Sequence, residues 1–94
     1  MPEVKSLSII VYGRVQGVSF RDFIRQHALM LGLTGYVQNI PGDKAVLIYA
    51  EGKEKQLKQL IEYARVGPPA ARVETLDVKW SDYTGNFESF DIKR

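Results

Sequence analysis

The stretch LSIIVYGRVQGVSFRDFIRQHALML, residues 7–31, decides the fold because it contains a strand, a loop and a helix in succession. Residues 7–12 are rich in β-branched side chains and are apolar on both faces, which is typical of a central strand. Residues 13–20 form a loop that contains two glycines. Over residues 21–31 the apolar side chains recur at helical spacing, and Gly32 follows as a signal to end the helix.

The rest of the chain continues with short elements separated by turn residues. It predicts a strand, a turn, a strand, a helix and two final strands, at residues 35–39, 40–43, 45–50, 53–66, 76–80 and 87–92. The second helix is amphipathic, and Gly-Pro-Pro at residues 67–69 ends it. Val73 is out of phase with the alternation of the fourth strand, which predicts a bulge or a later start there.

This order of elements predicts an α+β fold, the ferredoxin-like split β-α-β sandwich. The first two strands are joined through a helix, so we expect them to run parallel with a right-handed crossover, while the second and third form a hairpin. The sheet would be mostly antiparallel, with both helices on one face and a short fifth strand. The face that carries Thr75, Asp77 and Lys79 would be exposed to solvent. We expect one domain over residues 1–94.

Composition excludes several classes of chemistry. The chain has no cysteine, which excludes disulfides, thiolate metal ligands and a cysteine nucleophile, and its one histidine, His27, cannot build a His-rich metal site. The net charge of +2 suits an anionic small molecule or a weak nucleic-acid contact without proving either. No apolar run approaches the ~20 residues of a membrane span, and the first residues lack a signal-peptide core. We therefore expect a cytoplasmic protein.

The loop at residues 13–20 has the features of an anion-binding site. Gly13 and Gly17 permit backbone angles that turn successive N–H groups to one side, and a helix begins directly afterwards. Arg21 adds a planar guanidinium that can bind two phosphate oxygens, and Asn39 would close the parallel strand at the same edge of the sheet. Taken alone, such a loop is often only a tight connection. It is neither a nucleotide P-loop nor a dinucleotide fingerprint, since Gly-Lys-Ser/Thr and Gly-x-Gly-x-x-Gly are both absent.

Two strings, GRVQGVSFR at residues 13–21 and GYVQN at residues 35–39, closely resemble the acylphosphatase family in sequence and in spacing. The resemblance extends over essentially the whole chain, including its length, element order and closing strand. One departure lies in the hairpin after Asn39. There the family commonly shows Asp-Gly before a Val-Glu strand, whereas residues 41–47 read PGDKAVL.

The resemblance implies an acylphosphatase, an acid anhydride hydrolase that converts the carboxyl-phosphate bond of an acylphosphate to carboxylate and phosphate without metal or cofactor. Arg21 and Asn39 would be catalytic, with Asn39 orienting the attacking water. The phosphoryl group would be bound by the loop amides and the Arg21 guanidinium, that is, by Val15, Gln16, Gly17, Val18, Ser19, Phe20 and Arg21. We expect a monomer that binds the acylphosphate and its phosphate product, but neither nucleic acid nor membrane.

Several other residues have ordinary structural explanations. Arg14 is favoured as a surface residue over a phosphate contact. Ser19 lacks the Gly-x-Ser-x-Gly elbow and a partnered base, so its side chain is expected to be structural. We expect His27 to be packed or half-exposed, and Trp80 to lie in the core.

The alternative function is an RNA-binding or ligand-sensing module of the same fold without catalysis. RNA-recognition domains share this element order, but their aromatic RNP1-like pattern is missing from AVLIYA at residues 45–50. A ligand-sensing domain would not require Arg21 and Asn39 at one edge of the sheet.

Overall fold

A computed structural model describes residues 3–42 and 44–94, in which two helices cover one face of a five-stranded sheet. Asp43, part of the predicted turn, lies outside the described residues. The elements are β1 (Val4–Arg14), α1 (Phe20–Met30), β2 (Thr34–Ile40), β3 (Ala45–Lys53), α2 (Glu54–Val66), β4 (Arg72–Ser81) and β5 (Phe90–Lys93). In this part of the chain no helix combines the length and the apolar character that crossing a membrane requires.

The strand order β4-β1-β3-β2-β5 confirms the predicted split β-α-β arrangement. All neighbouring strands are antiparallel except β2 and β5, which pair in parallel. Because β1 and β2 both run antiparallel to β3, they run parallel to each other, and their carboxyl ends lie at the same edge. Val11 and Asn39 face the same β3 residue, Val46, from opposite sides. The register therefore places Asn39 level with the end of β1.

The core lies between the helices and one face of the sheet. Alternate residues of the central strands point into it and are fully buried, together with the apolar stripes of α1 and α2: Leu7, Ile9, Val11, Val37, Val46, Ile48, Phe20, Ile24, Ala28, Leu57, Leu60 and Ala64. Burial of one large aliphatic or aromatic side chain stabilises a fold by about 1.5–3 kcal/mol. This packing fixes the height of α1 over the sheet and thus the position of the loop that precedes it.

The structure corrects two of the sequence expectations. Trp80 is 41% exposed rather than part of the core, because β4 is an edge strand with little helix above its end. The fifth strand begins at Phe90, not at residue 87. The Phe87 ring instead packs on the open face of the sheet, with its centroid 5.4 Å from that of Tyr49 and 6.0 Å from that of Tyr36.

The bulge predicted near Val73 is present. Tyr12 pairs with Thr75, whereas Gly13 pairs with Val73, so that Glu74 is an extra residue in β4. Bulges bend a strand and increase its local twist. Here the bend falls where β1 passes into the loop.

The carboxylate of Glu51 connects the open face of the sheet to the segment between β4 and β5. Glu51 is 1% exposed, and its oxygens accept hydrogen bonds of 2.6–3.0 Å. The donors are the hydroxyls of Ser6, Tyr49 and Thr84 and the backbone N–H groups of Thr84 and Gly85. Burial acts to raise the pKa of Glu51, but the hydrogen bonds outweigh it and lower the pKa from 4.5 to about 2.

We expect Glu51 to make the fold sensitive to acid. Because its pKa is depressed in the folded state, its contribution to the free energy of unfolding, roughly 3 kcal/mol, is complete above pH 4.5 and is lost as the pH falls towards 2. Glu51→Gln cannot titrate, so it should lose this part of the pH dependence. At neutral pH it should be less stable by roughly 1–3 kcal/mol, since an amide leaves some donors unpaired.

Urea unfolding followed by circular dichroism between about pH 7 and pH 2 measures both effects. The matched control is Glu62→Gln, which removes a carboxylate from the exposed face of α2. A Glu51→Gln stability curve parallel to that of the wild type would contradict this assignment.

Candidate active site

The loop between β1 and α1 has an unusual backbone conformation. Gly13, at φ +135°, packs so closely on β4 that a β-carbon there would collide with the carbonyl oxygen of Arg72. Gly17 and Ser19 follow at φ +71° and +63°, in the left-handed region. Alternation of left-handed and ordinary residues turns backbone N–H groups towards one concave side, as in anion-binding nests.

The amides of this loop lack protein partners among the described residues. Within residues 3–42 and 44–94, no backbone N–H of residues 15–21 donates a hydrogen bond to another protein group. The first N–H groups of a helix cannot bond within it, and those of Phe20 and Arg21 lie at the positive end of the α1 dipole. Buried N–H groups without a partner are costly unless water or a ligand satisfies them. These donors are therefore available to water or to a bound anion.

A cavity of about 220 Å³ lies against this loop. It is lined by Val15, Gly17, Ser19, Phe20, Arg21, Asp22, Ile92 and Arg94. Arg21 is partly buried, and no carboxylate in the described part of the chain lies within 4.0 Å of its guanidinium. Its charge is thus free to act on a ligand, with only Asp22 as an acidic residue in the lining.

Asn39 lies in β2 with its side chain on the helix-covered face of the sheet, since it shares that face with Val37. Its Oδ1 atom is buried and has no hydrogen-bond partner among the described residues. A buried carbonyl oxygen without a partner is uncommon in folded proteins. Such an oxygen keeps an unused capacity to accept a hydrogen bond.

The predicted site residues divide into two groups in the structure. Five of them line the cavity: Val15, Gly17, Ser19, Phe20 and Arg21. Val18 packs on the core, and the Gln16 side chain turns away to a neighbouring depression. Asn39 stands in β2, at the same edge of the sheet but outside the cavity lining.

Three lining residues, Asp22, Ile92 and Arg94, were not among the predicted site residues. The parallel pairing of β2 with β5 places Ile92 beside Val37, and the same register continued by two residues brings Arg94 level with Asn39. Recognition that the fifth strand pairs with the second would have predicted this wall of the cavity. The composition of the final strand alone contains no such signal.

The remaining candidates have the surroundings of structural residues. Arg14 is exposed and lines the neighbouring depression, not the cavity. His27 is partly buried, with its ring stacked on Tyr63 at a centroid distance of 3.8 Å and edge-on to Phe23 at 4.5 Å. No group of three or more Asp, Glu or His side chains converges as metal ligands within residues 3–42 and 44–94.

Among the described residues, a loop whose amides have no protein partner and an arginine with no carboxylate within 4.0 Å line one cavity, and such groups can bind a small tetrahedral anion. Comparisons with known proteins identify the family. The acylphosphatase family model matches residues 7–92. An acylphosphatase from Salinibacter ruber is 48% identical over 90 residues, which cover 96% of this chain and 94% of that protein. One from Caldivirga maquilingensis is 46% identical over 85 residues, or 90% of each chain.

The crystal structure of acylphosphatase from Bacillus subtilis has the same fold, with a TM-score of 0.90 and 36% identity over 98% of this chain and all of that one. The chain belongs to the acylphosphatase family. It is an enzyme that hydrolyses the carboxyl-phosphate bond of acylphosphates. The resemblance seen in residues 13–21 and 35–39 is thereby confirmed.

The left-handed conformation of Ser19 generates a prediction about stability. At such a φ, a residue with a β-carbon lowers the free energy of unfolding by roughly 1–2 kcal/mol. Glycine adopts the conformation freely, although it loses more conformational entropy on folding. Ser19→Gly should therefore be more stable than the wild type by roughly 0.5–1 kcal/mol. Ser19→Val should be less stable by roughly 1–3 kcal/mol, because a β-branched side chain fits this region worst.

The free energy of unfolding of the two variants, measured in urea, tests this difference. Ser8→Gly and Ser8→Val are matched controls, because Ser8 lies in the extended strand β1. At this position Ser8→Val should be more stable than Ser8→Gly, since glycine weakens a strand and valine stabilises it. Equal stabilities for Ser19→Gly and Ser19→Val would contradict the left-handed assignment.

Proposed function

We propose that the loop amides of residues 15–20 and the Arg21 guanidinium bind the phosphoryl group of the acylphosphate, and that Asn39 positions the water that attacks it. The observation that supports this proposal is that, among the described residues, the loop amides have no protein partner and the loop lines the same cavity as Arg21, which has no carboxylate within 4.0 Å. Backbone N–H groups and a guanidinium together offer a fixed set of donors to the three terminal phosphoryl oxygens.

The chemistry of the substrate suits this set of hydrogen-bond donors. Transfer of a phosphoryl group passes through a loose transition state, with charge spread over its terminal oxygens, so positioning and charge stabilisation are the main tasks. The leaving group is a carboxylate, which needs no proton to depart. Fixed donors at the loop can supply the stabilisation without reorganising during the reaction.

Asn39 supplies orientation and not basicity. A carboxamide cannot remove a proton at neutral pH, but its Oδ1 can accept a hydrogen bond from water and turn a lone pair of the water towards phosphorus. The new oxygen–phosphorus bond forms as the bond from phosphorus to the carboxylate oxygen breaks. Both hydrogens of the water end on the phosphate product, and the carboxylate leaves with the electron pair.

The same reasoning extends to partners. We propose that the substrate is a small anionic acylphosphate and that the chain works on it as a monomer in the cytoplasm. Arg21 and Arg94 in the cavity lining, with Arg14 and Lys44 on the adjoining rim, favour the approach of an anion to this edge. Size-exclusion chromatography with light scattering measures the oligomeric state.

Arg21→Ala should abolish most of the activity. Removal of one preorganised donor typically lowers kcat by roughly 10²–10³-fold, and loss of the cavity's positive charge should raise the inhibition constant of inorganic phosphate as well. The assay follows the ultraviolet absorbance of benzoyl phosphate in EDTA. Arg14→Ala is the matched control: it removes an exposed arginine from the end of β1, directly before the loop, and should stay within a few-fold of the wild type. Equal losses in the two variants would contradict the assignment of Arg21.

Asn39→Ala should affect turnover and not binding. We expect kcat to fall by roughly 10²-fold because the water is no longer held in line, while the inhibition constant of inorganic phosphate changes by less than about threefold. Asn86→Ala, in the exposed connection before β5, is the control and should behave as the wild type. A large rise in the phosphate inhibition constant would show instead that Asn39 binds the phosphoryl group.

A further inference from the structure

We propose that the side chain of Gln16 is a positioning residue that sets the place of Asn39 relative to the phosphate-binding loop. The inference rests on the proposed function, because it takes Asn39 as the residue that aligns the water. It adds a second role for Gln16, distinct from that of its backbone amide in the loop.

The Gln16 side chain fastens the loop to both strands of the β2–β3 hairpin. Its Nε2 atom donates to the carbonyl oxygen of Ile40 at 2.8 Å and to that of Ala45 at 2.8 Å. An amide nitrogen has two hydrogens, so both are used. Ile40 directly follows Asn39, and Ala45 pairs with Ile40 across the hairpin. One side chain of the loop therefore bonds both residues of the last β2–β3 pair, which lies next to Asn39.

Asn39 depends on its backbone for its position. Its Oδ1 has no hydrogen-bond partner in residues 3–42 and 44–94, so no such bond to a neighbouring side chain fixes that oxygen. The end of β2 also has little support of its own, because Pro41 lacks an N–H and Gly42 follows at φ +110°. The bonds from Gln16 are the side-chain bonds that connect this end of the strand directly to the loop.

The Gln16 side chain does not act on the phosphoryl group directly. It lines a depression formed with Tyr12, Arg14, Lys44 and others, and it is absent from the lining of the cavity that Arg21 shares with the loop. A second bond, from the N–H of Gly13 to the carbonyl oxygen of Lys44 at 3.0 Å, holds the base of the loop to the hairpin. Loss of the Gln16 bonds should thus loosen the hairpin end while the base of the loop stays attached.

A double-mutant cycle on kcat tests the proposal. Gln16→Met keeps the length of the side chain but removes both donors. We expect it to lower kcat for benzoyl phosphate by roughly 10-fold, with KM and the phosphate inhibition constant within about twofold of the wild type. In the Asn39→Ala background the same substitution should change kcat by less than about twofold, because the group it positions is gone.

Gln38→Met is the matched control. Gln38 is a partly buried glutamine in β2, next to Asn39, and its side chain lies on the opposite face of the sheet from that of Asn39. It should leave kcat unchanged. If Gln16→Met proves unfolded by circular dichroism, Gln16→Leu, which also lacks donors, takes its place in the cycle.

Three results would overturn the proposal: no change in kcat for Gln16→Met, the same loss of kcat in both backgrounds, or a rise in the phosphate inhibition constant that accounts for the lost activity. The last would mean that Gln16 only holds the loop. A wild-type kcat for Asn39→Ala would refute the proposed role of Asn39 and this inference with it. If Asn39→Ala lowers kcat, and Gln16→Met lowers kcat by the same factor with and without Asn39, only this inference is refuted.

Discussion

The constraint on which this structure depends is a run of backbone N–H groups, those of residues 15–21, that have no partner among the described residues. A flexible chain would fold back to pair them, so their conformation must be enforced. Two features enforce it. Gly13 fits against β4 where no side chain could, and Gly17 and Ser19 adopt left-handed angles. Both are local departures from regular structure.

The topology brings this loop and Asn39 to the same edge of the sheet. Because β1 and β2 are parallel and separated only by β3, the loop and Asn39 reach the same edge although 18 positions separate Arg21 from Asn39 in the chain. The core beneath holds α1 and the strands in fixed relation. The last residue pair of the β2–β3 hairpin receives two further hydrogen bonds, both from the side chain of Gln16 in the loop.

Much of the fold could be predicted from the sequence, because it depends on local patterns. Alternation and helical spacing identified all seven elements, and the loop motif led to the prediction of Arg21, which lines the cavity. The exposure of Trp80 could not be predicted, because its alternating pattern is the same on an edge strand as on a central one. Phe87 was assigned to a strand on composition, while its ring is held by long-range packing on Tyr36 and Tyr49. The two bonds of Gln16 and the place of Arg94 follow from pairings between distant strands, which no local pattern encodes.

The carboxylate of Glu51 is an anion that the protein satisfies with its own donors. Hydroxyl and backbone N–H groups surround it, and most of them come from the segment between β4 and β5. This one carboxylate therefore attaches that segment to the sheet. Because Glu51 pairs with Ser6 at the start of β1, and the loop leaves the other end of the same strand, a substitution at Glu51 changes the resistance of the fold to acid without touching the loop.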